Sequence, residues 1–322
     1  MSGVESHYRV ATSAFDRPYE GEKDKIPPNV IYFLSVEGDS TEYDYFTRLN
    51  SYLRSVYPSS RLVVNVQTPH HTGLNSPEQV YDLLLQCFEI RKPKISLRTF
   101  SKAFKKKYGK HLDRYFDPVK VTQKELAEFK RDLESLEIRY DVVNFVHSFG
   151  TDEGKPHPDD FFGMVIDRDR LTHTDPKQLA AICKECTQNG FRFCISNPCF
   201  ELWLYLHKVD VAQVANDAEK RCMLTNAKQR GATYMARLVK KECGHDKSIP
   251  ERAFNKHYKK NLRCAIRNAK GLTTKMPALL KKLGTNVGDL VAEMLDYCER
   301  RRTTSSRTFW RSTNPSRPDS PR

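Results

Sequence analysis

The chain has 322 residues, with 54 Lys and Arg against 40 Asp and Glu, a net charge of +14 and a hydrophobic fraction of 39%. That length suits roughly two domains, or one larger α/β domain with additions, and the basic excess favours a polyanionic partner such as nucleic acid. The first 29 residues hold no apolar h-region and no apolar run approaches the roughly 18 residues of a membrane span, while nine cysteines, an odd number, read as reduced thiols; together these exclude a secretory, disulfide-framed or membrane protein and point to the cytoplasm.

Residues 1–28 are polar and end in Ile26-Pro27-Pro28, which predicts a flexible arm. Asn29–Val36 (NVIYFLSV) reads as the first strand and runs into Glu37-Gly38-Asp39-Ser40-Thr41-Glu42. Gly38 permits a tight turn, Asp39 or Ser40 can cap a helix, and Glu42 stands three residues after Asp39 as in a capping box. The helix that follows is expected to bury Tyr43, Phe46, Leu49, Leu53 and Val56, at a period of about 3.6. Leu62–Val66 is a second strand, so the unit is a parallel crossover. Ser76-Pro77-Glu78 starts another helix, with Val80, Leu83, Leu84 and Cys87 facing inward.

Between about 91 and 158 the pattern changes, as though a helical insertion interrupted the α/β alternation. Residues 91–114 hold ten Lys and Arg against one acid, Asp113, and Phe100, Phe104 and Tyr108 recur every four residues. A basic amphipathic helix is expected. Either its Lys102, Lys105, Lys106, Lys107 and Lys110 grip nucleic-acid phosphates, or it is a solvated helix whose aromatics dock on the body. Residues 123–138 read as helix, Tyr140–Val146 as a strand and 150–160 as a loop.

Residues 161–169 (FFGMVIDRD) form a short β-branched and aromatic run, better suited to a buried strand than to a helix. It ends in Asp167 and Asp169, with Arg168 between them. At the carboxyl end of such a strand, side chains project into the crevice where open α/β sheets bind ligands. Two carboxylates there repel each other unless a proton or a cation lies between them, and a hard divalent cation wants such oxygen ligands. The plain alternative is a strand followed by an acidic turn.

Asp175-Pro176 starts a helix with a capping Asp and a first-turn Pro; Leu179, Ile182, Cys183 and Cys186 make its inward stripe, and Gly190 ends it. Phe191–Ile195 is a further strand, after which Ser196 or Asn197 is expected to cap a strongly apolar helix whose first turn holds Pro198. Residues 210–300 read as helices only, and 301–322, rich in Ser, Thr, Pro and Arg, as a disordered tail. The expected organisation is an arm at 1–28, an α/β catalytic domain at 29–208 carrying the basic insertion, a helical region at 209–300 and the tail.

Three acidic turns thus follow three strands, at Glu37, at Asp167 and Asp169, and at Glu201. In a parallel sheet all three open on one edge, so Glu37 can approach the aspartates. A carboxylate free for proton transfer beside a metal-binding pair is what phosphodiester hydrolysis needs. Other constellations are weaker. Cys183-x-x-Cys186 with Cys194 and Cys199 has zinc-like composition, but its members fall on an apolar helix face and inside a strand. His70-His71 reads as a loop, and Trp203 and His207 read as core.

The segments EGDSTEYDYF (37–46), VIDRDR (165–170), SNPCFELWLYLH (196–207), HYKK (257–260) and AIRNAK (265–270) resemble the RloB-like family. Strand-E-G-x-x-T-E followed by strand-D-R-D also resembles the Toprim pattern of topoisomerases and bacterial primases. The resemblance implies a Toprim-like parallel sheet flanked by helices, with a helical insertion and a helical C-terminal part. It further implies an endonuclease dependent on Mg²⁺ or Mn²⁺ that cleaves RNA such as tRNA, or DNA, in antiviral defence, in some systems beside an ATPase partner. By that resemblance Glu37 is a general acid/base or a metal ligand, and Asp167 and Asp169 hold the metal. Ser196, Asn197 and Glu201 supply a second layer or further ligands, and Glu42 supports the turn. The competing class is a non-catalytic sensor or effector, whose acidic site binds a metal–nucleotide ligand and signals to an ATPase; an oligomer is compatible with either. The 91–158 insertion and the tail lie outside the resemblance, so substrate choice does not carry over through them.

Overall fold

Five strands form one sheet in the computed structural model, in the order β2-β1-β3-β4-β5. The structure describes residues 29–69, 76–91, 102–109, 115, 121–136, 140, 160–168 and 175–313. The expectations for the arm, for His70-His71, for Phe100, Lys110 and Asp169, and for the strand beyond Tyr140 fall outside those residues. The chain divides into two compact units, one comprising Met1–Pro28 with Glu89–Pro156 and the other Asn29–Phe88 with His157–Arg322.

The second unit carries the sheet. β1 (Val30–Val36), β2 (Leu62–Gln67), β3 (Phe161–Asp167) and β4 (Arg192–Asn197) are parallel, and β5 (Gly284–Thr285) runs antiparallel to β4. Parallel strands are covered on both faces, which is why these segments are apolar throughout rather than alternating. Val30, Tyr32, Leu34 and Val36 of β1 join the main core with α1 (Thr41–Val56) and the C-terminal helices. On the other face Phe33 stacks on Phe162 at 4.9 Å, and Phe88 of α2 (Pro77–Arg91) stands edge-on to Phe162 at 5.1 Å. The residues expected inward on α2, namely Val80, Leu83, Leu84 and Cys87, are all buried.

α1 buries Tyr45, Phe46, Leu49 and Leu53, whereas Val56 is 40% exposed and Tyr43 only partly covered. The stripe is therefore rotated toward Tyr45, which packs edge-on against Phe200, Trp203 and Phe254. Ser40 occupies the cap position of α1 without a side-chain hydrogen bond, so the expected capping box is absent and Glu42 is free to turn elsewhere.

In the first unit α3 (Lys102–Tyr108) and α4 (Gln123–Glu134) pack through Phe104, Tyr108, Phe129 and Leu133, with Tyr115 and Tyr140 alongside. Thr122 caps α4 in a reciprocal box with Glu125. Phe104 and Tyr108 of the basic helix are thus consumed in a small core.

α5 (Pro176–Gln188) is capped by Asp175, whose Oδ1 accepts from Lys177 N at 2.9 Å, and buries Leu179, Ile182 and Cys186; Gly190 follows at φ +72°. β4 extends two residues beyond the expected Ile195, through Ser196 and Asn197. Neither residue caps the next helix, α6 (Glu201–Leu206), which has Phe200 at its cap position. The extension exists because β5 pairs there, Ser196 opposite Thr285 and Asn197 opposite Gly284. The side chain of Asn286 continues the pairing, accepting from Ile195 N at 2.7 Å and donating to Phe193 O at 2.9 Å. Residues 210–300 are consequently not helices only.

Helices dominate the rest of that region, among them α7 (Asp217–Thr225), α8 (Tyr234–Cys243), a π-helical turn at Phe254–Tyr258, α9 (Leu262–Lys270) and α10 (Val287–Thr313). α10 continues past Arg300, where the composition predicts a disordered tail; no Pro stands before Pro315 to stop it. Among the described residues no helix is long and apolar enough to cross a membrane.

Candidate functional site

The sheet order decides which acids meet. β3 lies between β1 and β4, with Val36 paired to Val165 and Asp167 to Ser196, so the carboxyl ends of three strands are adjacent. Glu37 N donates to Val165 O at 3.1 Å and Arg168 N to Ser196 O at 2.8 Å, which carries both ladders one residue past the strands. Glu37 then folds back, and its Oε2 accepts from Asp167 N at 2.9 Å. Asp167 Oδ1 in turn accepts from Phe200 N at 2.8 Å, tying β3 to the start of α6, where Glu201 is the first residue.

Glu42 completes the group. With no capping role, its carboxylate lies against Gly38, where a Cβ would collide with Oε2, so glycine here leaves room for the Glu42 carboxylate rather than supplying backbone freedom. Glu42 is buried, while Glu37, Asp167 and Glu201 keep partial exposure. Burial, then the charges of Glu201, Glu37 and Asp39, push the Glu42 carboxyl up to about 8. Burial, then Glu42, Glu37 and Glu201, hold Asp167 well above the usual carboxylate range, against the pull of the Phe200 N–H. Four carboxylates, two from strand ends and two from the first turns of helices, thus repel one another, and protons or a cation can relieve that repulsion. Among the described residues no three His, Cys, Asp or Glu side chains stand in a ready metal-holding arrangement. Asp169 lies outside those residues.

Ser196 and Asn197 spend their side-chain hydrogen bonds outside this group. Ser196 Oγ hydrogen-bonds Thr285 Oγ1 at 2.8 Å, and Asn197 Nδ2 donates to Leu279 O at 2.6 Å; both residues are fully buried. Their observed work is to seat β5 and the turn at Ala278–Leu280. Arg168, which the sequence leaves without a role, is buried and donates its Nε to Leu280 O at 3.2 Å, bracing the same turn.

His207 is fully buried and doubly bonded. Nδ1 meets the Trp203 carbonyl at 3.0 Å and must donate, so Nε2, 3.1 Å from Tyr45 Oη, accepts the phenol proton. Burial pushes its pKa down to about 3, which fixes a neutral ring with a structural role. Cys186, Cys194 and Cys199 are buried thiols, and all nine cysteines are unpaired with one another. Cys186 contacts Met164 Sδ at 3.5 Å, and among the described residues the zinc constellation does not assemble.

Of the lysines expected on the basic helix, Lys102 and Lys106 are exposed. Lys107 is paired with Glu128 and, at 2.8 Å, with Asp132, which raise its pKa. The Lys105 side chain and Lys110 lie outside the described residues.

A family model described as RloB-like protein matches residues 32–294. No curated protein and no solved structure matches the chain.

Proposed function

Because the chain belongs to the RloB-like family, we propose that it is a divalent-metal-dependent nuclease with a Toprim-like core, cleaving RNA such as tRNA, or DNA, in antiviral defence. The single observation that carries this reading is the contact of Glu37 with Asp167 at the shared edge of β1 and β3. It sits beside the buried Glu42 and the partly exposed Glu201, a donor set composed of carboxylate oxygens alone. Mutual repulsion raises the carboxyls that burial already disfavours as charges, and an oxygen-seeking cation such as Mg²⁺ or Mn²⁺ suits that set. Asp167, with Asp169, would hold the ion, and Glu37 or Glu42 would complete its oxygens. Such an ion, when bound, neutralises the non-bridging phosphate oxygens and lowers the pKa of an attacking water.

The chain's own residues supply the rest. Glu37 takes the proton of the attacking water as the water oxygen bonds to phosphorus, the P–O bond to the sugar breaks, and the leaving sugar oxygen takes a proton from solvent. Phe200 N–H keeps Asp167 oriented, and Gly38 lets Glu42 approach. Lys102 and Lys106 are candidates for contacts to the phosphate backbone, whereas Lys107 is already engaged. The test is incubation of pure protein with labelled tRNA and DNA in Mg²⁺, in Mn²⁺ and in EDTA. Cleavage is expected with either metal and lost in EDTA, in Asp167→Ala and in Glu37→Ala; cleavage that survives both substitutions removes this site. Tight nucleotide binding without cleavage of any substrate favours a non-catalytic sensor that signals to an ATPase.

A further inference from the structure

Residues 247–282 hold eleven Lys and Arg against a single acid, Glu251. This is a basic stretch comparable to that of the insertion but spread through the helical C-terminal part. Two of its segments are tied by hydrogen bonds to elements that carry or adjoin the carboxylate group. On the α1 side, Thr41 Oγ1 donates to Lys247 O at 2.8 Å, one residue from Glu42. Asp44 Oδ2 accepts from Ser248 Oγ and Ile249 N, each at 2.8 Å, and Arg48 Nε donates to Ile249 O at 2.5 Å. On the β4 side, the carbonyls of Leu279 and Leu280 take the bonds from Asn197 and Arg168, so that Lys281 and Lys282 follow directly on a turn braced by the neighbour of Asp167. In the sheet order β3, which carries Asp167, lies between β1, which leads into α1, and β4, which carries Asn197.

The charges themselves are available. Arg263 is taken up by Asp296 and Glu299, but Lys247, Lys256, Lys260, Lys270, Lys275 and Lys282 are exposed and form no ion pair among the described residues. An acidic mouth repels a polyanion, so a substrate with a phosphate backbone needs its affinity from cations on either side of the mouth rather than from the mouth itself. The two anchored segments carry such cations. They also belong to the same compact unit as the acids.

We infer that the Lys247–Lys256 and Lys275–Lys282 segments form a clamp for the phosphodiester backbone of a nucleic acid, flanking the carboxylate site on two sides. The inference rests on the nuclease reading of that site and adds the surface that delivers the substrate. Its test is the affinity of the full chain for labelled single-stranded RNA and DNA oligonucleotides, by fluorescence anisotropy across a salt series, in EDTA and in Mg²⁺. The Lys247→Glu/Lys256→Glu and Lys275→Glu/Lys282→Glu variants are each expected to lose about tenfold or more in affinity at low salt. Each is also expected to flatten the slope of log K against log salt by about 0.7 for every phosphate of a single strand that is no longer neutralised. The RNA and DNA arms distinguish the source of the backbone, and unchanged thermal midpoints certify the fold. Wild-type affinity and slope in both variants overturn the inference, as does a wild-type protein that binds neither strand, and the surface then falls to an acidic protein partner. Binding with these features but without cleavage leaves the clamp standing and removes the nuclease reading alone.

Discussion

The backbone N–H of Asp167 donates to Glu37 Oε2 across 2.9 Å, joining the ends of β1 and β3 through residues 130 positions apart. This single contact allows the two roles to be separated. Glu37→Gln keeps an oxygen acceptor for the N–H and removes only the charge and the basicity. It is expected to leave stability within about 1 kcal/mol of wild type while reducing cleavage by about a hundredfold or more. Glu37→Ala removes the acceptor as well and costs about 1–2 kcal/mol in addition. Denaturant unfolding and an oligonucleotide cleavage assay check both. A Gln variant that cleaves at the wild-type rate would take Glu37 out of the chemistry.

Gly38 offers a second separation. Its Cβ would meet the far end of a flexible side chain, Glu42 Oε2, and no positive φ is involved. Gly38→Ala is therefore expected to fold with a midpoint close to wild type while displacing the Glu42 carboxylate, lowering cleavage by about tenfold or more. Full activity in Gly38→Ala would mean that the position of Glu42 is irrelevant to the site.

The Tyr45–His207 pair sets an acid limit on stability. His207 is held neutral by burial, with its pKa pushed down to about 3, below the ordinary value of an unfolded chain. The unfolded state therefore binds the extra proton first. Stability from this ring is complete above about pH 6.5 and is lost as pH falls toward 3, at up to about 1.4 kcal/mol per pH unit. A His207→Leu variant, less stable overall, should show a shallower loss of stability between pH 6.5 and 4. Tyr45→Phe, which strips the donor from Nε2, is expected to cost about 1–3 kcal/mol at pH 7.5. Parallel pH profiles for wild type and His207→Leu would contradict the assignment.

The thiols divide sharply by exposure. Cys222 is exposed, whereas burial lifts Cys186 and Cys194 to about 12 and Cys199 well above its ordinary value. A thiol reagent at pH 8 should label Cys222 within minutes and leave those three untouched until the chain unfolds. Prompt labelling of Cys199, which neighbours Asp167 and Glu201, would mean that the acidic mouth opens far more than its packing implies.

Much of this fold is written in local pattern. β1, β2 and β3 are short β-branched and aromatic runs between turn signals, and the helix starting at Asp175-Pro176 carries its own cap. The adjacency of Glu37 and Asp167 also follows from the pattern, because parallel strands put their acidic ends on one edge. What is not legible depends on long-range pairing. β5 has two residues, too few for any periodicity, and its pairing is what prolongs β4 and commits Ser196 and Asn197 to structure. Strand side chains alternate faces, so an error in where β4 ends becomes an error in what Ser196 and Asn197 touch. Glu42 is legible as a helix-start residue but not as a member of the acidic group, since that depends on the Ser40 cap staying unmade. The C-terminal lysines escape notice for a related reason: their density is diluted over helices, and only the hydrogen bonds to Thr41, Asp44 and Arg48 bring one of their segments to the site.

The most direct measurement is the thermal midpoint of the full chain with and without Mn²⁺ or Mg²⁺, for wild type and for Asp167→Asn. An ion that binds the folded site stabilises it by about 2.7 kcal/mol at a hundred times its Kd. A clear, saturable rise in the wild-type midpoint is expected, abolished in Asp167→Asn and reversed by EDTA. An equal rise in both proteins, or none in either up to millimolar metal, would contradict the carboxylate group as the metal site.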